Sequence, residues 1–208
     1  MEVAVHEKLA SHAQLGSPGR FAPLLPDLHG SRGTAWRPVS TNDLSLRAVD
    51  ANDAAGASAL VRVSFVELPA QDWENQAQQR FLAESGVEPL ARKIVAASCA
   101  IGAFAGERIV GFLLMPTPTL LGMLFVHPTR LRQGIGTKLW EFARTRLESE
   151  FKEVRTVELN STPCAVEFYR ALGFVPISAE FVRRGSRATR MACWLPARAL
   201  GAELPPRK

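Results

Sequence analysis

The chain has 208 residues, enough for one domain with extensions, and with 47% apolar and 22% charged side chains it has the make-up of a globular protein that can bury its own core. Its net charge of +5 sits at the end, where residues 178–208 hold seven basic side chains against two acidic ones, while residues 1–43 hold four of each. No apolar run approaches the ~20 residues that span a bilayer, no secretory signal opens the chain, and Cys99, Cys164 and Cys193 lack metal-ligand spacing, so a cytoplasmic protein with reduced thiols, no membrane contact and no metal is expected.

Residues 1–43 carry Pro18, Pro23, Pro26 and Pro38 among glycines without a sustained period. They read as an irregular extension ahead of a domain at 44–196, with a basic tail at 197–208. Residues 44–49 alternate as a first strand. An alanine-rich helix is expected over 50–65, then a loop with Glu67, Asp72 and Trp73, then helices over 74–83 and 88–97. Strands follow over 99–104, 109–115 and 120–126, parted by Gly106-Glu107 and by Pro116-Thr117-Pro118. Beyond Val126 come Arg130, Arg132 and the turn Gly134-Ile135-Gly136. That turn opens a helix, because Ile135, Leu139, Phe142, Ala143, Leu147 and Phe151 recur at three- and four-residue spacing. Residues 154–159 alternate as a strand, and Asn160-Ser161-Thr162-Pro163 caps a second helix carrying Phe168, Tyr169 and Leu172 up to Gly173. A hairpin over 175–182 and 188–195 closes the domain. This order predicts a mixed sheet flanked by helices.

A glycine turn at a helix start aims unpaired N–H groups at one point where the macrodipole is also positive, which suits a phosphate. An ordinary tight strand-to-helix turn would read the same. A dinucleotide fingerprint is excluded by the missing third glycine, and a nucleoside-triphosphate loop by the missing Gly-Lys-Ser/Thr.

The succession Val126-x-Pro128, Gly134-Ile135-Gly136, then strand, Asn160, and a helix reading Ala165-x-x-Phe168-Tyr169-x-x-Leu172-Gly173-Phe174 resembles the GNAT superfamily of N-acetyltransferases over residues 44–195. The resemblance implies an α/β fold with a central, mostly antiparallel, splayed sheet of about seven strands. It implies acetyl-CoA as co-substrate, with its pyrophosphate on Arg132, Gln133, Gly134, Ile135, Gly136 and Thr137. The pantetheine arm would lie along Leu124, Phe125 and Val126 and meet Asn160, while Tyr169 would protonate the departing thiolate. The acetyl group would pass by direct attack to a primary amine, of a small molecule or a protein, with Glu67, Asp72 and Trp73 on the acceptor side. No general base is assigned; Glu67, Asp72 and His127 are candidates. The family usually carries Gln or Arg three residues before the first glycine, where this chain has Leu131 between Arg130 and Arg132. A catalytically silent CoA-binding regulatory module is the alternative, and a homodimer is left open. Nucleic-acid binding through residues 183–208 is disfavoured, because Trp194 is the one aromatic there and no recognised motif is present.

Overall fold

The computed structural model describes residues 44–69 and 72–195; the expected extension at 1–43 and basic tail at 197–208 lie outside them. Strand β1 (Leu44–Ala48) leads into a reciprocal cap. The Asp50 carboxylate accepts from the Asn52 N–H at 2.8 Å, and the Asp53 carboxylate accepts from the Asp50 N–H at 3.1 Å. A 3-10 turn, Ala51–Asp53, then feeds α1 (Ala54–Val66), so the alanine-rich helix expected from residue 50 begins as this tighter turn. Asp53 also takes two hydrogen bonds from the Arg47 guanidinium, at 2.7 and 2.8 Å, which hold its carboxyl below the usual range. A depressed carboxylate stabilises the fold above its unfolded-state pKa, about 3.9, and that contribution is lost as pH falls through the lower folded-state value. Asp50→Ala is predicted to cost about 1 kcal/mol at neutral pH, or roughly 2–4 °C of melting temperature for a chain of this size. Thermal unfolding beside the wild type checks it.

Helices α2 (Asn75–Glu84) and α3 (Val87–Ala96) precede β2 (Cys99–Ala105), β3 (Arg108–Met115) and β4 (Met123–Val126). These strands form a four-stranded sheet in the order β1-β2-β3-β4, antiparallel throughout. Then come α4 (Ile135–Glu150), β5 (Thr156–Ser161), α5 (Val166–Ala171), β6 (Val175–Pro176), β7 (Phe181–Arg183) and β8 (Ser186–Trp194). In this second sheet β8 pairs antiparallel with β5, β6 and β7. The expected splayed, mostly antiparallel sheet is therefore present, with eight described strands in place of about seven. Helices α1 to α3 bury Phe65, Phe81 and Leu90 with Phe112 and Phe125 on one side. Helices α4 and α5 bury Leu139, Trp140 and Tyr169 with Leu113, Leu124 and Leu159 on the other. Alternation along β4 sends Met123 and Phe125 to the first core and Leu124 and Val126 to the second.

The strand expected over 120–126 is split. Glu158 in β5 donates its N–H to the Thr119 carbonyl at 2.8 Å and accepts from the Leu121 N–H at 2.9 Å, a short parallel link between the two sheets. At Gly122 the chain turns back onto the first sheet, its N–H reaching the Leu114 carbonyl at 2.9 Å. Residues 119–121 thus belong to β5 and residues 123–126 to β3. The last hairpin is also interrupted. Ser178 Oγ accepts the Arg190 N–H at 3.0 Å, so a side chain stands in for the strand carbonyl and β6 stops after two residues.

Candidate active site

The splay makes a slot. The His127 N–H donates to the Val110 carbonyl of β3, which fixes the phase of the ladder. Phe125 therefore turns its N–H and carbonyl toward β3, whereas Leu124 and Val126 turn theirs to the open edge. Of the three residues expected along the pantetheine arm, two present peptide groups there; Phe125 contributes its ring to the α1–α3 core. The opposing wall is β5, where the Leu195 N–H to Arg155 carbonyl bond sets the phase and sends the peptide groups of Glu158 and Asn160 away from β8. The sheets are linked at Glu158 and part by Asn160. Asn160 is thus a buried strand residue, not part of the helix entry, and its Oδ1 is enclosed without a hydrogen-bond partner among the described residues. Pattern reading missed Ser64: from α1 it donates Oγ to the Val126 carbonyl at 3.1 Å, occupying one acceptor of the open edge. A serine amid an apolar helical face was the available signal.

At the other end of β4, His127 opens a short 3-10 turn, Pro128–Arg130, with Nδ1 accepting from the Thr129 N–H at 3.3 Å. Burial, then the charges of Arg108 and Arg130, push the His127 pKa down and keep the ring neutral. Arg130 is buried and reaches Gln133 Oε1 at 3.4 Å, so it is a part of the loop's framework. Arg132 (φ 62°) and Gly134 (φ 73°) are both left-handed, with Gln133 between them at negative φ. Left-handed residues alternating with right-handed ones can turn successive N–H groups to one side, as in anion-binding backbone turns. The first intrahelical bond of α4 runs from the Lys138 N–H to the Gly134 carbonyl at 3.0 Å, leaving Ile135, Gly136 and Thr137 as helix-start donors without an intrahelical acceptor. The two glycines differ in role. A Cβ at Gly134 would meet nothing within 4 Å, so that site needs glycine for its backbone angle. A Cβ at Gly136 would stand 2.8 Å from Phe168 Cζ and 3.4 Å from Leu124 Cδ2, so this glycine seats α4 against α5 and β4. Leu131, where the family pattern expects Gln or Arg, packs against the core beneath α4.

Tyr169 is fully buried on α5, with Phe168 and Phe174 edge-on at ring separations of 5.3 and 5.6 Å. Among the described residues its hydroxyl has no hydrogen-bond partner. Burial above all, with a smaller effect of Cys164, holds the phenol well above its ordinary pKa. Cys164 itself is pushed up chiefly by burial, so it is a poor nucleophile.

The three expected acceptor-side residues part company. Glu67 is exposed at the end of α1. Asp72 is buried and pairs with Arg187 at 3.0 Å, while Glu180 takes the same guanidinium at 2.7 Å. Trp73 is buried against Phe65 and Phe81, at 4.9 and 5.5 Å between rings, and bridges to Ser186. Asp72 and Trp73 therefore anchor the loop to the β7–β8 hairpin, their charge and ring face already engaged. This joint between residues 72–74 and the hairpin links segments more than a hundred positions apart, which no local pattern reveals.

The enclosed groups fit coenzyme A. Among the described residues two buried oxygens, Asn160 Oδ1 and the Tyr169 hydroxyl, lack hydrogen-bond partners, two peptide units of β4 turn away from β3, and helix-start N–H donors follow that strand, a donor set suited to an amide-rich arm ending in a phosphate. Among the described residues no helix is long and apolar enough to cross a membrane.

Comparison with known proteins agrees with this geometry. The family description "Acetyltransferase (GNAT) domain" matches residues 69–195. Comparison with curated proteins gives no match. Among solved structures, a GCN5-related N-acetyltransferase from Rhodopseudomonas palustris is 22% identical with a TM-score of 0.64, over 73% of this chain and 95% of the other. The PaiA N-acetyltransferase of Thermoplasma acidophilum, in complex with coenzyme A, is 19% identical with a TM-score of 0.62, over 73% and 99%. The ribosomal-protein-S18-alanine N-acetyltransferase of Escherichia coli is 19% identical with a TM-score of 0.52, over 77% and 98%. At these identities the likeness is one of fold. With the family match extending over more than half of its length, the chain belongs to the GNAT acetyltransferase family.

Proposed function

We propose that the protein is an acetyl-CoA-dependent N-acetyltransferase acting on a primary amine by direct attack. The observation that carries this reading is the slot itself: an unpaired β4 edge facing Asn160, with the partnerless Tyr169 hydroxyl buried on α5. The coenzyme A bound by the Thermoplasma relative supports the same ligand here. Acetyl-CoA supplies the activated acyl thioester. The N–H groups of residues 133–137, with Arg132 beside them, hold the pyrophosphate, and Asn160 with the Leu124 and Val126 peptide groups orients the amide-rich arm as an added strand would. A donor from the β4 edge polarises the carbonyl as the amine attacks. The carbon–sulfur bond then breaks, Tyr169 gives its proton to the thiolate, and the proton lost by the new amide nitrogen returns to the phenol through water.

Acetyl-CoA at a hundredfold excess over its Kd is predicted to stabilise the protein by roughly 2.7 kcal/mol. A thiol-release assay over a panel of amines tests the transfer. Thiol release that depends on the amine supports it. Stabilisation without release from any amine would favour a silent CoA-binding regulatory module.

A further inference from the structure

We propose that the acceptor is an amine that also carries a carboxylate, bound by a subsite of Arg80, Arg183 and Arg184; this rests on the acetyl-transfer reading above. A cleft of about 40 Å³ opens between α2, α3 and the β7–β8 turn, and Met123, the first residue of β4, lines it. The phosphate loop follows the opposite end of β4, so an arm laid along this strand points its acyl end toward Met123 and the cleft. Phe81 and Ala77 give the cleft an apolar wall.

Its charge is one-sided. Arg80, Lys93, Arg183 and Arg184 line it against a single acid, Glu84. Glu84 is engaged by Lys93, whose Nζ lies 3.8 Å from the carboxylate and also donates to the Glu84 carbonyl at 2.9 Å. Among the described residues no carboxylate pairs with Arg80, Arg183 or Arg184. Of the nearby acids, Asp72 and Glu180 are paired with Arg187, and Glu74, whose carboxylate lies beside Gly185, is not among the residues lining the cleft.

The turn that carries Arg184 is also fixed in its backbone, and Arg80 is tied to it. Arg184 (φ 52°) and Gly185 (φ 80°) are both left-handed, forming the two-residue hairpin turn that normally favours Asn-Gly. Arginine thus occupies a backbone position that disfavours it, a mark of function more often than of stability. The turn is fastened by the Glu74 N–H to the Gly185 carbonyl at 2.7 Å and by the Arg80 guanidinium donating to the Arg184 carbonyl. Planar guanidinium groups around a small, partly apolar cleft suit a carboxylate.

The test is calorimetric binding, at low salt and with CoA present, of N-acetyl-alanine, N-acetyl-leucine and N-acetyl-glutamate, each beside its α-carboxamide. At least one acid is expected to bind about tenfold tighter than its amide, and the preference should fall below about threefold in R183Q/R184N, with CoA affinity unchanged. Asparagine suits the left-handed turn position, so the variant keeps the hairpin. Equal binding of acids and amides, no binding of any at roughly 10 mM, or a preference that survives in the variant would overturn the proposal. Turnover of the parent amino acids separates it from the reading it rests on. Preferential binding without amine-dependent thiol release would keep the anion subsite and reject acetyl transfer, whereas turnover confined to polycationic amines would keep acetyl transfer and reject the subsite.

Discussion

Replacing Tyr169 with phenylalanine is expected to lower kcat about 10- to 1,000-fold, or about 1.4–4 kcal/mol of barrier, while acetyl-CoA affinity changes little. The variant removes one oxygen and keeps the ring wedged between Phe168 and Phe174. That oxygen has no partner among the described residues, so its loss breaks no hydrogen bond there and leaves none unpaired. A hydroxyl that acts on the departing sulfur contributes in the transition state, which is why turnover and binding should separate. Burial raises the phenol's pKa, so it stays protonated, and able to donate, beyond the pH at which a free phenol ionises. As the chain's one tyrosine, it alone sets the alkaline phenolate absorbance, which should appear above the usual pKa of about 10 and only as the fold is lost. A raised folded-state pKa means stability is full below the unfolded value and is lost as pH rises through the folded one; Tyr169→Phe should lack that alkaline loss. Unchanged turnover with chemistry rate-limiting would make Tyr169 a packing residue. Equal losses in turnover and affinity would make it a cofactor contact with no proton-transfer role.

Gly134→Val and Gly136→Val are expected to fail in opposite ways. At Gly134 the space is open but φ is 73°, a region that a β-branched residue avoids. The loop must rearrange and its N–H groups no longer converge. Acetyl-CoA affinity should drop roughly tenfold or more, about 1.4 kcal/mol, with only a modest loss of stability in the free protein. At Gly136 the helix geometry is ordinary, but the new Cβ drives into Phe168, the neighbour of Tyr169 on α5. Overpacking of this kind typically costs 1–3 kcal/mol. The free protein should therefore melt lower. Thermal unfolding with and without acetyl-CoA distinguishes the two, since Gly134→Val chiefly loses the ligand-induced shift and Gly136→Val chiefly loses the baseline. A full acetyl-CoA shift in Gly134→Val would remove the phosphate role from this loop.

The division between what was legible and what was not follows the range of the interactions. The sequence alone determined the family, the order of elements and the position of the glycine turn, because each rests on periodicity or on a run of a few residues. Ile135 to Phe151 repeats as a helix must, and Phe168-Tyr169 to Gly173-Phe174 is a contiguous block. Strand limits were less legible. Leu120 and Leu121 are as apolar as residues 123–126, and only the bonds of residues 119 and 121 to Glu158 tie this stretch to the other sheet. Local pattern likewise could not separate Gly134, fixed by its own backbone angle, from Gly136, fixed by Phe168 on another helix. It read Asp72 and Trp73 as free to meet a substrate, since an acid and a tryptophan in a loop look available until Arg187 and Phe65 are found against them. It could not show that Arg183 and Arg184 border a cleft, because nothing local reveals that the hairpin docks on α2. Backbone preference and side-chain period act over three or four residues and are written in the sequence. Which charges are paired, and which remain to meet a ligand, depends on contacts between distant segments, and only the tertiary structure decides it.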